Sequence, residues 1–176
     1  MKENIIAYMK TALNTELMGY KFYLHAAEIT EDEHGKNIFK HLANDELDHI
    51  KAISSIVGSI EETGRVLTYD EALNAYNSRG QGLPIFPEEN ELIKKLGKNP
   101  EDLDALNIAI KSEEDAVHFY GSYLKSAGDA NEKVLLTNLL EMEKGHLKLL
   151  RWEYDSIVDT GFWCDFMEWT VEGEKE

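Results

Sequence analysis

Six of this chain's glutamates and histidines, residue types that hold metal ions, fall in a pattern. Glu46-Leu47-Asp48-His49 and Glu143-Lys144-Gly145-His146 each set a carboxylate and an imidazole at i and i+3. One helical turn then presents an oxygen and a nitrogen donor to the same centre. Glu16 and Glu113 each stand alone in a stripe of apolar and small residues. A single offset of 97 positions carries Glu16 onto Glu113, Glu46 onto Glu143 and His49 onto His146. It also carries Ala12 onto Ala109, Phe22 onto Phe119, Tyr23 onto Tyr120 and Leu42 onto Leu139. The polar residues repeat together with the scaffold, which predicts a duplicated hairpin whose halves pack about a pseudo-twofold axis, with the six candidates meeting on it.

The energetics point the same way. Four carboxylates turned into one core each cost several kcal/mol to desolvate and repel one another, a sum comparable with a domain's net stability of roughly 5–15 kcal/mol. Two divalent cations balance four glutamates, and neutral imidazoles complete the coordination. The chemistry implied is a dinuclear metal site. Mixed carboxylate and imidazole ligation suits iron or manganese, with zinc as an alternative occupant. A lone Glu-x-x-His arises by chance on helices rich in Glu and Lys, so the weight rests on the repeat and on the shared stripe. His25, His34, His41 and His118 lie off that stripe or near helix ends and read as surface residues.

Four long helices must carry these side chains. Ile5, Met9, Ala12, Glu16, Gly19, Tyr23 and Ala26 follow each other at three and four as one helical face. Thr30-x-x-Glu33 has the form of a capping box for a second helix striped by Ile38, Leu42, Ile53, Ile56 and Ile60, with Gly64 as its stop. Asn99-Pro100 supplies an N-cap and a first-turn proline for a third helix along Leu106, Ala109, Ala116, Tyr120 and Leu124. After Gly128-Asp129 a fourth runs through Leu136, Leu139, Leu150 and Ile157. Between the pairs, residues 65–99 hold a short helix capped by Thr68-x-x-Glu71 and a loop containing Pro84 and Pro87. A connection of about 35 residues can run the length of a bundle. The expected fold is all-α, a four-helix bundle of two antiparallel hairpins joined by one long crossover.

Composition narrows the function. The chain has 176 residues and 20.1 kDa, one domain's worth. With 18 Lys+Arg against 34 Asp+Glu the net charge is −16, which repels a phosphate backbone, so nucleic acid is not expected as a partner. The single cysteine, Cys164, excludes an internal disulfide, a four-cysteine metal site and a Cys-x-x-Cys redox pair, and has no thiol-activating neighbours. No apolar run approaches a membrane span, and Met1-Lys2-Glu3-Asn4 leads into an amphipathic stretch. A cytoplasmic protein without membrane contact is expected. The bundle should occupy residues 1–160 and an aromatic and acidic C-terminal segment 161–176. The stretch Trp152 to Trp169 is too aromatic for a free tail, and packing against its own chain is favoured over capping a subunit interface.

With these residues in view the chain resembles the rubrerythrin group of the ferritin-like superfamily. The resemblance rests on Ala-x-x-x-Glu-x-x-Gly-x-x-Phe-Tyr at Ala12 to Tyr23, on Ala109 to Tyr120, on Glu46-Leu-Asp-His49 and on Glu143-Lys-Gly-His146. It implies a diiron site in which Glu46 and Glu143 bridge the ions, Glu16 and Glu113 are terminal ligands, and His49 and His146 each hold one ion. It further implies that Tyr23 and Tyr120 hydrogen-bond the ligand carboxylates, and that Asp45 orients the histidine of the opposite helix, His146, whereas the repeat-related position holds Met142. The implied activity is reduction of hydrogen peroxide or dioxygen with electrons from an external donor such as a rubredoxin-like protein or another reductase, in a homodimer. Iron storage with ferroxidase chemistry is the alternative. Three departures qualify the match. Ala116 stands where peroxide-reducing members carry a further Glu, one cysteine cannot build a rubredoxin module, and Leu47 replaces the axial Met of a bacterioferritin haem, so no haem is expected.

Overall fold

The computed structural model describes residues 2–80, 82–97 and 100–164. Six helices and no strand occur among them: α1 (Lys2–Ile29), α2 (Glu33–Thr63), α3 (Tyr69–Arg79), α4 (Glu91–Leu96), α5 (Asp102–Ser126) and α6 (Ala130–Thr160). The four long helices are the expected bundle, with α1 packed along α2 and α5 along α6. The fold is all-α and ferritin-like.

Each helix takes its limits from local chemistry. Gly64 and Gly161 end α2 and α6 in the left-handed conformation, at φ 75° and 81°, where a side chain would be strained. Thr68 and Glu71 form the expected capping box of α3. Two expected caps are corrected. Thr30 does not cap α2; Asp32 does, accepting the N–H groups of His34 and Gly35 at 2.8 and 3.2 Å, because the chain stays extended two residues longer than the Thr-x-x-Glu pattern implies. Pro100 is not the first residue of α5. Glu101 is its N-cap, with its N–H donating to Asp104 at 2.9 Å, and Asn99 lies outside the described residues.

The crossover is more ordered than a loop. The Asn90 side chain caps α4 and donates to the Met18 carbonyl at 2.8 Å, while Lys21 donates to the Pro87 carbonyl at 2.7 Å. These bonds pin α4 against α1, and α4 also packs on α5. The stripe residues Met9, Ala12, Tyr23, Leu42, Ile53, Leu106, Leu139 and Leu150 are buried as the periodicity predicts. They form two apolar clusters, one towards Ile5, Ile56 and Leu136 and one towards Phe39, Leu106 and Leu149. Burial of this area at about 25 cal/mol per Å² holds the hairpins together. No helix among the described residues is long and apolar enough to cross a membrane.

At one end of the bundle the chain turns back after α6. Trp163 is buried over Gly35 and meets Phe39 edge-on at 5.6 Å, and its indole N–H donates to Asp102 at 2.8 Å. A Cβ on Gly35 would lie 2.4 Å from the Trp163 ring, so only glycine lets the indole sit there. The expectation that the C-terminal segment packs on its own chain fits residues 162–164, while 165–176 lie outside the described residues.

Candidate metal centre

All six sequence candidates are buried and brought together between the two apolar clusters: Glu16, Glu46, His49, Glu113, Glu143 and His146. α1 and α5 each supply one carboxylate, α2 and α6 each a carboxylate and an imidazole one turn apart. Their donor atoms form two groups, each compact enough for one ion. Glu16, His49 and Glu143 make one, and Glu46, Glu113, Glu143 and His146 the other, with donors within 4.8 Å of one another in each. Glu143 belongs to both.

The two imidazoles, 5.5 Å apart by ring centroid, show how the carboxylates are divided. Nδ1 of His49 lies 3.3 Å from Glu143 Oε1, 3.4 Å from Glu46 Oε2 and 3.5 Å from Glu16 Oε2. Nδ1 of His146 lies 3.3 Å from Glu143 Oε2, 3.6 Å from Glu46 Oε1 and 3.9 Å from Glu113 Oε2. Glu46 and Glu143 therefore turn one oxygen to each side, whereas Glu16 and Glu113 serve one side each.

The outer oxygens of those two are held crosswise. The Tyr23 hydroxyl from α1 donates to Oε1 of Glu113 on α5, and the Tyr120 hydroxyl from α5 donates to Oε1 of Glu16 on α1. Both phenols are held protonated, by burial first and by the adjacent carboxylate second. On its far side His146 faces Asp45 through Nε2 at 3.4 Å. Among the described residues His49 Nε2 has no such partner; its ring lies edge-to-face with that of Tyr69, the first residue of α3, with centroids 6.0 Å apart. Burial pushes the Tyr69 phenol up to about 12. The sequence gives no hint of that contact, because nothing within α3 says which helix it will cover.

The electrostatics are those of four carboxylates and two imidazoles crowded into an apolar core. Burial drives Glu46 and Glu113 well above the usual carboxylate range, and the neighbouring carboxylates add to it. Burial alone would lower both imidazoles. The charge of Glu143 beside His49, and Asp45 and Glu143 beside His146, hold them well above their ordinary value instead. Glu143 is opposed by burial but is carried below its usual range by the two imidazoles. Glu46 Oε2, His49 Nδ1, Glu143 Oε1 and His146 Nδ1 are buried and make no hydrogen bond, although buried polar atoms are rarely left so. These orphaned atoms are oxygen and nitrogen lone-pair donors converging on two points, and the donor set fits divalent metal ions.

A family model described as Rubrerythrin matches residues 8–154, which spans all six candidates. The chain belongs to the rubrerythrin family. Among solved structures, a hypothetical protein from Pyrococcus furiosus shares this rubrerythrin-family fold, with a TM-score of 0.61, 21% identity, and 86% of this chain and 89% of that chain covered. At that identity the likeness concerns the fold alone. No curated protein matches.

Outside the ligand cluster, this rubrerythrin-family bundle has a cavity of about 420 Å³ between α1, α4 and α5, lined among others by Thr15, Met18, Leu92, Ser112, Ala116 and Phe119. Thr15 and Ser112 precede the two crosswise-held glutamates in sequence, and Ala116 lies one turn beyond Glu113.

Proposed function

We propose that the cluster holds two iron ions and that the protein reduces hydrogen peroxide, or dioxygen, with electrons delivered by an external donor. The observation that carries this reading is the division of oxygens. Glu46 and Glu143 each face both imidazoles, as carboxylates bridging two ions do, while Glu16 and Glu113 face one each, as terminal ligands do. Four carboxylates at −4 also match two divalent cations at +4.

Bound ferrous ions supply the two electrons that breaking an O–O bond requires. The chain's own residues do the rest. Tyr23 and Tyr120 fix Oε1 of Glu113 and Glu16, leaving Oε2 of each turned to the imidazoles. Their raised phenols keep a proton beside each terminal carboxylate at neutral pH. Asp45 holds the His146 ring through Nε2 and keeps Nδ1 free for the centre. Tyr69 covers the edge of His49 and keeps water from that side. The cavity between α1, α4 and α5 reaches Thr15 and Ser112, the chain neighbours of Glu16 and Glu113, and has room for a small oxidant; Ala116 lines it with a methyl group and Asp115 with a carboxylate. The same reading assigns the function to residues 1–160, with an external reductase and a homodimer as its assembly.

The test is metal content by elemental analysis, followed by stopped-flow spectra as the anaerobic Fe(II) protein meets peroxide or air. Two irons per chain, oxidised faster by peroxide, support the reading. Faster oxidation by air together with a closed many-subunit shell would move the assignment to ferroxidase and storage. Glu46→Ala and Glu143→Ala variants that keep both iron and peroxide turnover would overturn it.

A further inference from the structure

One break in the internal repeat near the centre adds aromatic rings. Phe119 and Tyr120 correspond to Phe22 and Tyr23, but Tyr8 and Tyr123 correspond to Ala105 and Ala26. Both alanines are buried in their half, so the scaffold closes there with a methyl group. In the other half Tyr8 stacks on Phe119 and on Tyr123, with ring centroids 4.1 and 3.7 Å apart and planes within 15° and 13°. Phe119 meets Tyr120 edge-on at 5.4 Å, and Tyr120 donates to Glu16. The rings run without a gap from a carboxylate of the candidate metal centre to Tyr123, which is half-buried at the surface. Electron tunnelling falls off exponentially with distance, so this continuous column of rings offers a path out of the bundle on this side.

We propose that Tyr8 and Tyr123 are a one-electron relay, and the sacrificial reductant when peroxide arrives without an external donor. The inference rests on the peroxide-reducing reading above. Each phenol gives up one electron and one proton. The peroxide takes up two of each, its O–O bond breaks, and two waters form. The two phenoxyl radicals, in rings 3.7 Å apart, couple through the carbons ortho to their oxygens, and the two displaced ring hydrogens return to the oxygens. The net reaction converts two tyrosines and one peroxide to one dityrosine and two waters. Tyr8 and Tyr123, both partly exposed, release their protons to solvent. The Tyr8 hydroxyl is held by the Phe119 carbonyl, which fixes the ring in the stack.

The test uses the full-length iron-loaded protein, given hydrogen peroxide anaerobically with no reductant. Freeze-quench electron paramagnetic resonance should show a tyrosyl radical, and peptide mass spectrometry should find a crosslink between Tyr8 and Tyr123 that falls to background in Tyr8→Phe and in Tyr123→Phe. A crosslink elsewhere among the eight tyrosines, or one undiminished in both variants, overturns the relay. A second arm oxidises the metal-free protein with photogenerated ruthenium(III) tris-bipyridine, which needs no peroxide chemistry. The same Tyr8–Tyr123 crosslink is expected, and its absence counts against the pair as the favoured sink. Iron-loaded protein that leaves peroxide unconsumed defeats the functional reading itself. Peroxide consumed with neither radical nor crosslink defeats the relay alone.

Discussion

The hairpin α1–α2 and the hairpin α5–α6 carry the same donors at the same positions, yet they surround them differently. Both supply a lone glutamate, a phenol that crosses to the other half, and a Glu-x-x-His turn. His146 is backed by Asp45, but His49 looks out at Tyr69, because the residue that matches Asp45 in the repeat is Met142. Glu153 lies buried in α6 at the position that Ile56 fills in α2. Repetition secures the donor set, while single replacements and the crossover make the two sides chemically unequal.

The largest effect should come from the shared carboxylates. Glu143→Ala or Glu46→Ala removes an oxygen from both sides and should cost both ions, whereas Glu16→Ala or Glu113→Ala should leave one, read as metals per chain. A Glu143→Ala protein that retains one tightly held ion would break the equivalence of the halves at its root.

A slope with pH comes next. Burial and neighbouring carboxylates hold Glu46 and Glu113 well above their ordinary values, and neighbouring carboxylates hold His49 and His146 there against burial. These four groups therefore bind more protons in the metal-free fold than in the unfolded chain, while Glu143 alone among the six is shifted the other way. Their contribution is full below the unfolded values, about 4.3 for Glu and 6.5 for His, and is lost as pH rises through the folded ones. Metal ions need the deprotonated donors, so the loaded protein should show the opposite slope. Chemical denaturation at acid, neutral and alkaline pH, with and without metal, separates the two. Parallel slopes would mean that the ions bind elsewhere.

Asp45→Asn sharpens the inequality between the two imidazoles. Losing a carboxylate behind a ligating histidine typically costs about 10–100-fold in metal affinity, and the loss should fall on the His146 side only. Equal weakening of both ions in a titration would show that the centre responds as one unit.

Glu153 gives the smallest effect and the one farthest from the centre. It accepts the Cys164 N–H at 2.9 Å, and burial raises its carboxyl to about 7. A raised acid adds stability that is complete below the unfolded value and disappears as pH climbs through about 7. Glu153→Gln should flatten a difference on the order of 2 kcal/mol between pH 5 and pH 8, measured by thermal unfolding. A wild-type Tm that is already level over that range would show that the carboxyl stays charged in the fold.

The donor set was legible because chemistry and scaffold share one offset; Glu16 and Glu113 stand in stripes whose neighbours are unmistakably core. The resemblance placed Tyr23 and Tyr120 against carboxylates, and each does donate to one; that each crosses to the glutamate of the other half was not legible in the sequence. Helix starts were less legible. Thr30, Asp32 and Glu101 can all accept a backbone N–H, and only the path of the chain decides which one does. Glu153 was invisible, since a glutamate on a helix reads as solvated until the returning residues 162–164 cover it. The helix α4 was missed because six residues are too few to show a period.

The indole seated over Gly35 bears on the order in which the molecule is completed. A chain made from its N-terminus has α1 and α2 available long before residue 163 exists, so the Gly35–Phe39 surface must wait, uncovered, while the intervening residues 40–162 are made. Trp163 is the closing piece of that end. Until it emerges, the nascent protein exposes there an apolar notch shaped for a ring that has not yet been made.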